Sequence, residues 1–407
     1  MTRAGGVLDV PGFSSGGTHT GLKKKGQDVG ILFSDVPAVA AGVFTTNRTR
    51  AAPVVLSEQH LGRSPRHRAV VVNSGCANAC TGERGWKNAV QMADATADVL
   101  GVRPEEVLVA STGIIGRQMD MRKLLTGIED LGSQIATGRA NPRFSKAILT
   151  TDLVEKTVSA SVNIGGADVT IGGAAKGSGM IHPNMATMLG FLATDANVSK
   201  EVLRSALREV TQDTFNMISV DGDTSTNDCV FAFANGEADH VKIDKPSGPL
   251  FRQFQSALQA VCRDLALQIV RDGEGATKVF SVKVHGARRE SDARAIAKAV
   301  ASSNLVKCAI HGSDPNWGRI VCAAGYAEAD FDPNKARISV SNGSDSPKLT
   351  LFEHGEPARF DEKEAHDLLK NEWITLTLEV GRGRANAEAW GCDFSHDYVT
   401  INAHYRT

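Results

Sequence analysis

Net charge is nearly absent from this chain. Its 45 Lys and Arg residues stand against 46 Asp and Glu, a formal charge of -1. It therefore lacks the basic footprint expected of a protein that binds nucleic acid or an anionic membrane. It has no run of about 20 apolar residues, so no membrane-spanning helix is expected. The opening residues, MTRAGGVLDVPGFSS, hold no apolar stretch of the roughly 7–15 residues that a secretory leader needs. Aromatic residues are scarce, at 5%. The seven cysteines, at positions 76, 80, 229, 262, 308, 322 and 392, are odd in number and scattered. Without a secretory signal they read as reduced thiols of a cytoplasmic protein. Cys76 and Cys80 have no second Cys/His pair at zinc-site spacing, so no metal is expected.

Glycine is in excess instead: 40 of 407 residues, against a usual share of about 7%. So many glycines point to tight turns and close backbone approaches. The length exceeds the roughly 250–300 residues at which a single core stops growing, so two domains or halves are expected. Hydrophobic residues at 42% and charged residues at 22% describe an ordered globular chain.

The periodicity alternates strands and helices, a mixed α/β chain. Short apolar runs bounded by Gly, Pro or polar residues predict strands over 30–34, 39–44, 69–73, 106–110, 158–164, 229–234 and 277–284. Helical spacing predicts helices over 83–100, 119–136, 200–217, 249–271 and 291–303. The end of the chain reads as strands near 337–340, 349–352, 373–380 and 398–402. There is no internal repeat, and a boundary is placed in the glycine-rich middle, 165–190.

That middle reads IGGAAKGSGMIHPNMATMLGFLATDA from Ile171 to Ala196. A phosphate-cradling loop needs Gly-Lys followed by Ser or Thr; here Lys176 precedes Gly177, so the order is wrong. A plain crossover between two halves is the second reading. The third is an internal nucleophile. A threonine hydroxyl attacks the carbonyl of the residue before it, and the ester formed then hydrolyses. The new amino-terminal Thr has its own α-amine as general base, with an ordinary pKa of about 7.7–8.0. Composition alone does not separate these readings.

The order of motifs does. Lys176-Gly-Ser-Gly-Met-Ile-His-Pro-Asn-Met-Ala-Thr-Met-Leu189 is followed by Ala193-Thr-Asp-Ala196. Elsewhere stand Asn73-Ser-Gly-Cys-Ala-Asn-Ala79, Ser111-Thr-Gly-Ile-Ile-Gly116, Thr150-Thr-Asp152, Ser219-Val-Asp-Gly-Asp-Thr-Ser-Thr-Asn-Asp228, Gly273-Glu-Gly-Ala-Thr-Lys278, Ser313-Asp-Pro-Asn-Trp-Gly-Arg319 and the segment from Asn402 to Thr407. Together, and in this order, they resemble the ornithine acetyltransferase (glutamate N-acetyltransferase) family of arginine biosynthesis over essentially the whole chain.

The resemblance implies two sheets sandwiched between helices, with a smaller second domain. It implies self-cleavage between Ala186 and Thr187, giving chains 1–186 and 187–407, of 186 and 407 − 186 = 221 residues. In the family these stay together as a heterotetramer of two of each. It implies acetyl transfer from N2-acetylornithine to glutamate through an acetyl-Thr187 intermediate, without a bound cofactor. Some members also take acetyl-CoA as donor. Thr112 and Gly113 match the oxyanion hole; an alternative for them is an N-cap of a helix near Arg117. Thr151, Lys176, Glu274, Asn402 and Thr407 match substrate contacts, with a turn lysine and a solvated glutamate as the plain alternatives. Lys176 would also lower the pKa of a nearby α-amine by like-charge repulsion. The segment Asp221–Asp228 fails the EF-hand pattern, because Thr226 and Ala232 stand where Gly and Glu are required. It reads as a loop entering a strand. His182, before Pro183, is read as structural. An amidohydrolase that passes its acyl group to water is the other enzymatic reading, and a binding protein without catalysis the third.

Overall fold

A computed structural model describes residues 1–182, 188–343 and 348–404. Ala186, Thr187 and Thr407 lie outside the described residues.

Among the described residues the strands form two sheets. The first has nine strands. Its long path runs Thr2–Arg3, Lys156–Ile164, Ala167–Lys176, Leu189–Thr194, Cys229–Ala234, Val29–Phe44, His67–Cys76 and Val107–Ile114. Phe13–Thr18 pairs with the first half of Val29–Phe44. The second has seven strands, in the order Glu356–Pro357, Leu349–Glu353, Arg337–Ser341, Trp373–Glu379, Val279–Ala287, Ala385–Cys392 and Ile218–Ser219. The mixed α/β expectation holds.

The strands expected over 30–34 and 39–44 are one strand of 16 residues, Val29–Phe44. Its register shifts between Phe33 and Ala38, and the strand turns the sheet there. Val29 and Ile31 pack under helices Gly82–Leu100 and Met121–Ala136. Val39, Ala41 and Val43 face the main core with helix Lys200–Asp213. Between the two halves of the folded-over sheet lies a separate core, where Leu32, Val70, Val72 and Leu108 meet Leu189, Phe191 and Phe231. The rings of Phe144 and Phe191 meet edge to face there, 5.0 Å apart. Helix Gly248–Arg271 covers the Lys156–Ile164 hairpin and shares the main core with the second sheet.

Two expectations are corrected. The glycine-rich middle is not a boundary: Ala167–Lys176 and Leu189–Thr194 are neighbouring strands of the first sheet. The chain instead touches the second sheet at Ile218–Ser219, returns to the first with Cys229–Ala234, and leaves it for the second through helix Gly248–Arg271. Glycine permits this because Gly172 and Gly173 lie under other chain. A Cβ on Gly172 would stand 2.2 Å from the Gly6 carbonyl oxygen. The segment 398–402 is not a strand but part of the helix His396–His404. Its Tyr, Val, Thr and Ile suit a strand by propensity, and tertiary anchoring overrides that preference. No described helix is long and apolar enough to cross a membrane.

Candidate active site

The ends of strands from the first sheet, the turn 150–152, the loop 221–228 and the helix His396–His404 line one cavity of about 200 Å³. Thr112, Gly113, Thr151, Lys176, Glu274 and Asn402 all line it. They are separated by up to 290 residues in sequence (402 − 112). Met188, the first described residue after 183–187, lines it too. The fold thus gathers the described residues that the resemblance matches to the oxyanion hole and the substrate contacts.

Thr112 and Gly113 lie in strand Val107–Ile114, which runs parallel to His67–Cys76. They are not an N-cap: the next helix starts at Met121 and is capped by Asp120. Gly113 has φ +129°, and a Cβ there would stand 2.5 Å from the Gly75 carbonyl carbon. Only glycine allows the two strand ends to close so tightly. The arrangement is locked from behind. Ser111 Oγ donates to Asn73 Oδ1 at 2.6 Å, and Asn227 Nδ2 donates to the Ser111 carbonyl at 2.8 Å.

Lys176 ends its strand and is buried, so it is not a turn lysine. Its ammonium donates to Thr150 Oγ1 at 2.9 Å and to Thr112 Oγ1 at 3.4 Å. An ammonium has donors and no acceptor. Both hydroxyls therefore accept from Lys176 and keep their own protons for another acceptor, such as an oxyanion in the cavity.

Behind Lys176 sits Asp152, 4.0 Å from its Nζ. Asp152 also accepts from Gly177 N at 2.7 Å and from Lys156 Nζ at 2.7 Å. Lys156 in turn reaches Asp272 at 2.5 Å. Burial alone would raise the Asp152 carboxyl. The Lys176 and Lys156 ammoniums overcome that, together with hydrogen bonds from Lys156 and the Thr150 amide, and hold its pKa at about 2.

Glu274 is buried rather than solvated. Its carboxylate accepts from Asn402 Nδ2 at 2.7 Å, and its backbone N–H donates to the Ser178 carbonyl at 2.9 Å. The lining therefore brings the Lys176 ammonium together with carboxylates at Glu274, Asp221, Asp223 and Asp228. That polarity suits a small zwitterion.

His182 donates or accepts at Ser219 Oγ, 3.1 Å away. Burial, then the Lys298 and Lys307 charges, lowers its pKa to about 4. It stays neutral near neutral pH, in keeping with a structural reading.

Sequence reasoning missed four contributors. Asp152 and Asp221 stood inside quoted motifs without a role. Tyr398 lines the cavity from the segment 398–402, where propensity predicts a strand and the fold makes a helix. Lys156 lay in no motif at all, and only its burial beside two carboxylates reveals it.

A polar cavity lined by the Lys176 ammonium and the Glu274 carboxylate is the kind of site an enzyme uses for a small molecule. The chain belongs to the ArgJ family, whose profile matches residues 14–407. It is 47% identical to the arginine biosynthesis bifunctional protein ArgJ of Dehalococcoides mccartyi (strain CBDB1), over 99% of this chain and 98% of that one. It is 46% identical to the protein of the same name from Bacillus subtilis (strain 168), over 99% and 97%. The solved chain of the Bacillus halodurans arginine biosynthesis bifunctional protein is 42% identical, with a TM-score of 0.50. The match covers 53% of this chain and 98% of that chain.

Proposed function

We propose that the chain cuts itself between Ala186 and Thr187 and transfers acetyl groups from N2-acetylornithine to glutamate in arginine biosynthesis. The observation that carries this reading is the shared cavity. Thr112, Gly113, Thr151, Lys176, Glu274 and Asn402 meet beside Met188, the residue after Thr187. The names of the relatives support the pathway. The solved relative supports the cut: matched over nearly all its own length, it spans 53% of this chain. A fragment of 221 residues out of 407 would span about the same share.

In the cut, the Thr187 hydroxyl oxygen bonds to the Ala186 carbonyl carbon and the Ala186–Thr187 C–N bond breaks. The hydroxyl proton goes to the departing amine. Water then hydrolyses the ester, leaving an Ala186 carboxylate and a free Thr187 hydroxyl. In transfer, the Thr187 amine takes the hydroxyl proton as the oxygen attacks the acetyl carbonyl. The proton passes to the ornithine nitrogen as it leaves. Glutamate's amine then attacks the acetyl ester, and Thr187 recovers its proton. In both halves a tetrahedral oxyanion forms, and the Thr112 hydroxyl and the Gly113 N–H stabilise it. Lys176 pairs with a substrate carboxylate and Glu274 with a substrate ammonium. Thr151, Asn402 and Thr407 complete the contacts. Acetyl-CoA serves as a second acyl donor in this reading, and the fragments assemble two of each.

The test is a denaturing gel and an acetyl assay. Wild type is expected as fragments of 186 and 221 residues, and Thr187→Ala as one inactive chain. A Thr187→Ala chain that still splits refutes the nucleophile. Acetate released to water, with none on glutamate, refutes transfer in favour of hydrolysis. Glutamate acetylation from acetyl-CoA alone tests the second donor, and the mass of the native particle tests the assembly.

A further inference from the structure

The loop entering strand Cys229–Ala234 does more than turn the chain. Asp221 lines the cavity and accepts four hydrogen bonds. Oδ2 takes Met180 N at 2.5 Å and the Tyr398 hydroxyl at 3.3 Å. Oδ1 takes Ile181 N at 2.8 Å and Asp223 N at 3.1 Å. One carboxylate thus joins three separated segments: the arm 180–182, the loop 221–223 and the helix His396–His404. The neighbouring residues add to the hold. Val220 N donates to the Ile181 carbonyl at 2.7 Å, and Thr224 Oγ1 donates to the His182 carbonyl at 2.8 Å.

The arm is held in an unusual shape. Met180 has φ +55°, a left-handed conformation that non-glycine residues rarely adopt. It persists only where the surroundings impose it. The bond from Met180 N to Asp221 is the direct constraint. The helix at the other end has no buried residue among those described. It is held through the Tyr398–Asp221 bond, the Asn402–Glu274 bond and the Phe394–Tyr398 ring contact at 4.4 Å.

We propose that Asp221 is a positioning residue: it sets the conformation of the Met180–His182 arm for self-cleavage and seats the helix that presents Asn402 to Glu274. The arm leads directly into 183–187, so the first role rests on the proposed cleavage at Ala186–Thr187. The two roles separate by variant. Asp221→Ala removes both, and Tyr398→Phe removes only the tie to the helix. Asp221→Asn keeps the size and one acceptor oxygen, but turns an N–H₂ group toward one pair of donors.

The experiment uses the freshly made full chain, at a temperature well below its unfolding midpoint. The appearance of fragments is timed on a denaturing gel. Asp221→Ala is expected to cut about tenfold to a hundredfold more slowly, the scale of a misplaced reacting group. Asp221→Asn, the variant more certain to fold, is expected to fall between it and wild type. Tyr398→Phe is expected to cut at the wild-type rate and then to show a raised KM for acetylornithine with a smaller change in kcat. A merely structural carboxylate would lower the unfolding midpoint and leave the rate of cutting alone, and that result overturns the first role. An unchanged KM in Tyr398→Phe overturns the second. A wild-type chain that never splits refutes the proposed function, and the first role with it.

Discussion

Replacing Lys156 by Met is the sharpest test of how the site is held. The Lys156 ammonium is fully buried, 2.7 Å from Asp152 and 2.5 Å from Asp272. At an effective dielectric of about 20, each contact represents about 6 kcal/mol of gross attraction, most of it offset by desolvation. Methionine fills the volume but leaves two buried carboxylates short of a partner. Such losses cost about 3–5 kcal/mol. The pH dependence gives a second handle. Asp152 titrates at about 2 in the folded chain against an ordinary 3.8. A depressed folded pKa contributes stability that is present above the unfolded pKa and lost as pH falls through the folded one. The difference is worth about 2–3 kcal/mol, lost between about pH 4 and pH 2. Without Lys156, burial acts against Lys176 as the main remaining ammonium. The carboxyl then moves up and much of that contribution is already gone at pH 7. Urea unfolding of both proteins, repeated from pH 7 downward, is the assay. The gap between them should be widest above pH 4 and narrow below it. A variant within about 1 kcal/mol of wild type at pH 7, or a gap that widens in acid, refutes the reasoning.

Four further outcomes are expected. Thr112→Ala should lower turnover by about 10²–10³, measured as kcat for glutamate acetylation; an unchanged rate removes it from the oxyanion hole. Gly113→Ala should lower turnover at least as far, because its Cβ collides with the Gly75 carbonyl carbon at 2.5 Å. Asn402→Ala should raise KM more than it lowers kcat, since it frees the Glu274 carboxylate from its 2.7 Å tie. His182→Gln should keep the wild-type pH limb of activity between about pH 6 and 9, because His182, with a pKa of about 4, is uncharged throughout that range.

Local signals read well where neighbouring residues suffice. Strand Cys229–Ala234 has the expected bounds, since six consecutive small or apolar residues between polar turns have few other uses. Helix Gly82–Leu100 ends at Gly101 in the left-handed conformation, as a Gly cap should. Reading failed where distant contacts decide. Tyr398–Asn402 is helical because Tyr398 and Asn402, four residues apart, reach Asp221 and Glu274 from one helix face. Strand 167–176 is interrupted by Gly172 and Gly173, and strand 189–194 is a short apolar run that its own residues do not distinguish from a buried helix segment. Glycine contributes no side chain, and their pairing is fixed by the backbone of the neighbouring strands.

Residue order alone carries the family and the identity of the chemical groups: hydroxyls at Thr112 and Thr151, an amine at Lys176, a carboxyl at Glu274, and glycines where the backbone must come close. Motif order is a property of the chain and needs no third dimension. Their aim and their neighbours come from folding alone. Lys156 has its role because burial removes water, and two carboxylates 116 and 4 residues away must then share its charge. Asp221 has its role because folding brings residues 180, 181 and 398 within hydrogen-bond reach of one carboxylate. Such effects depend on distance and dielectric, which residue order alone does not carry.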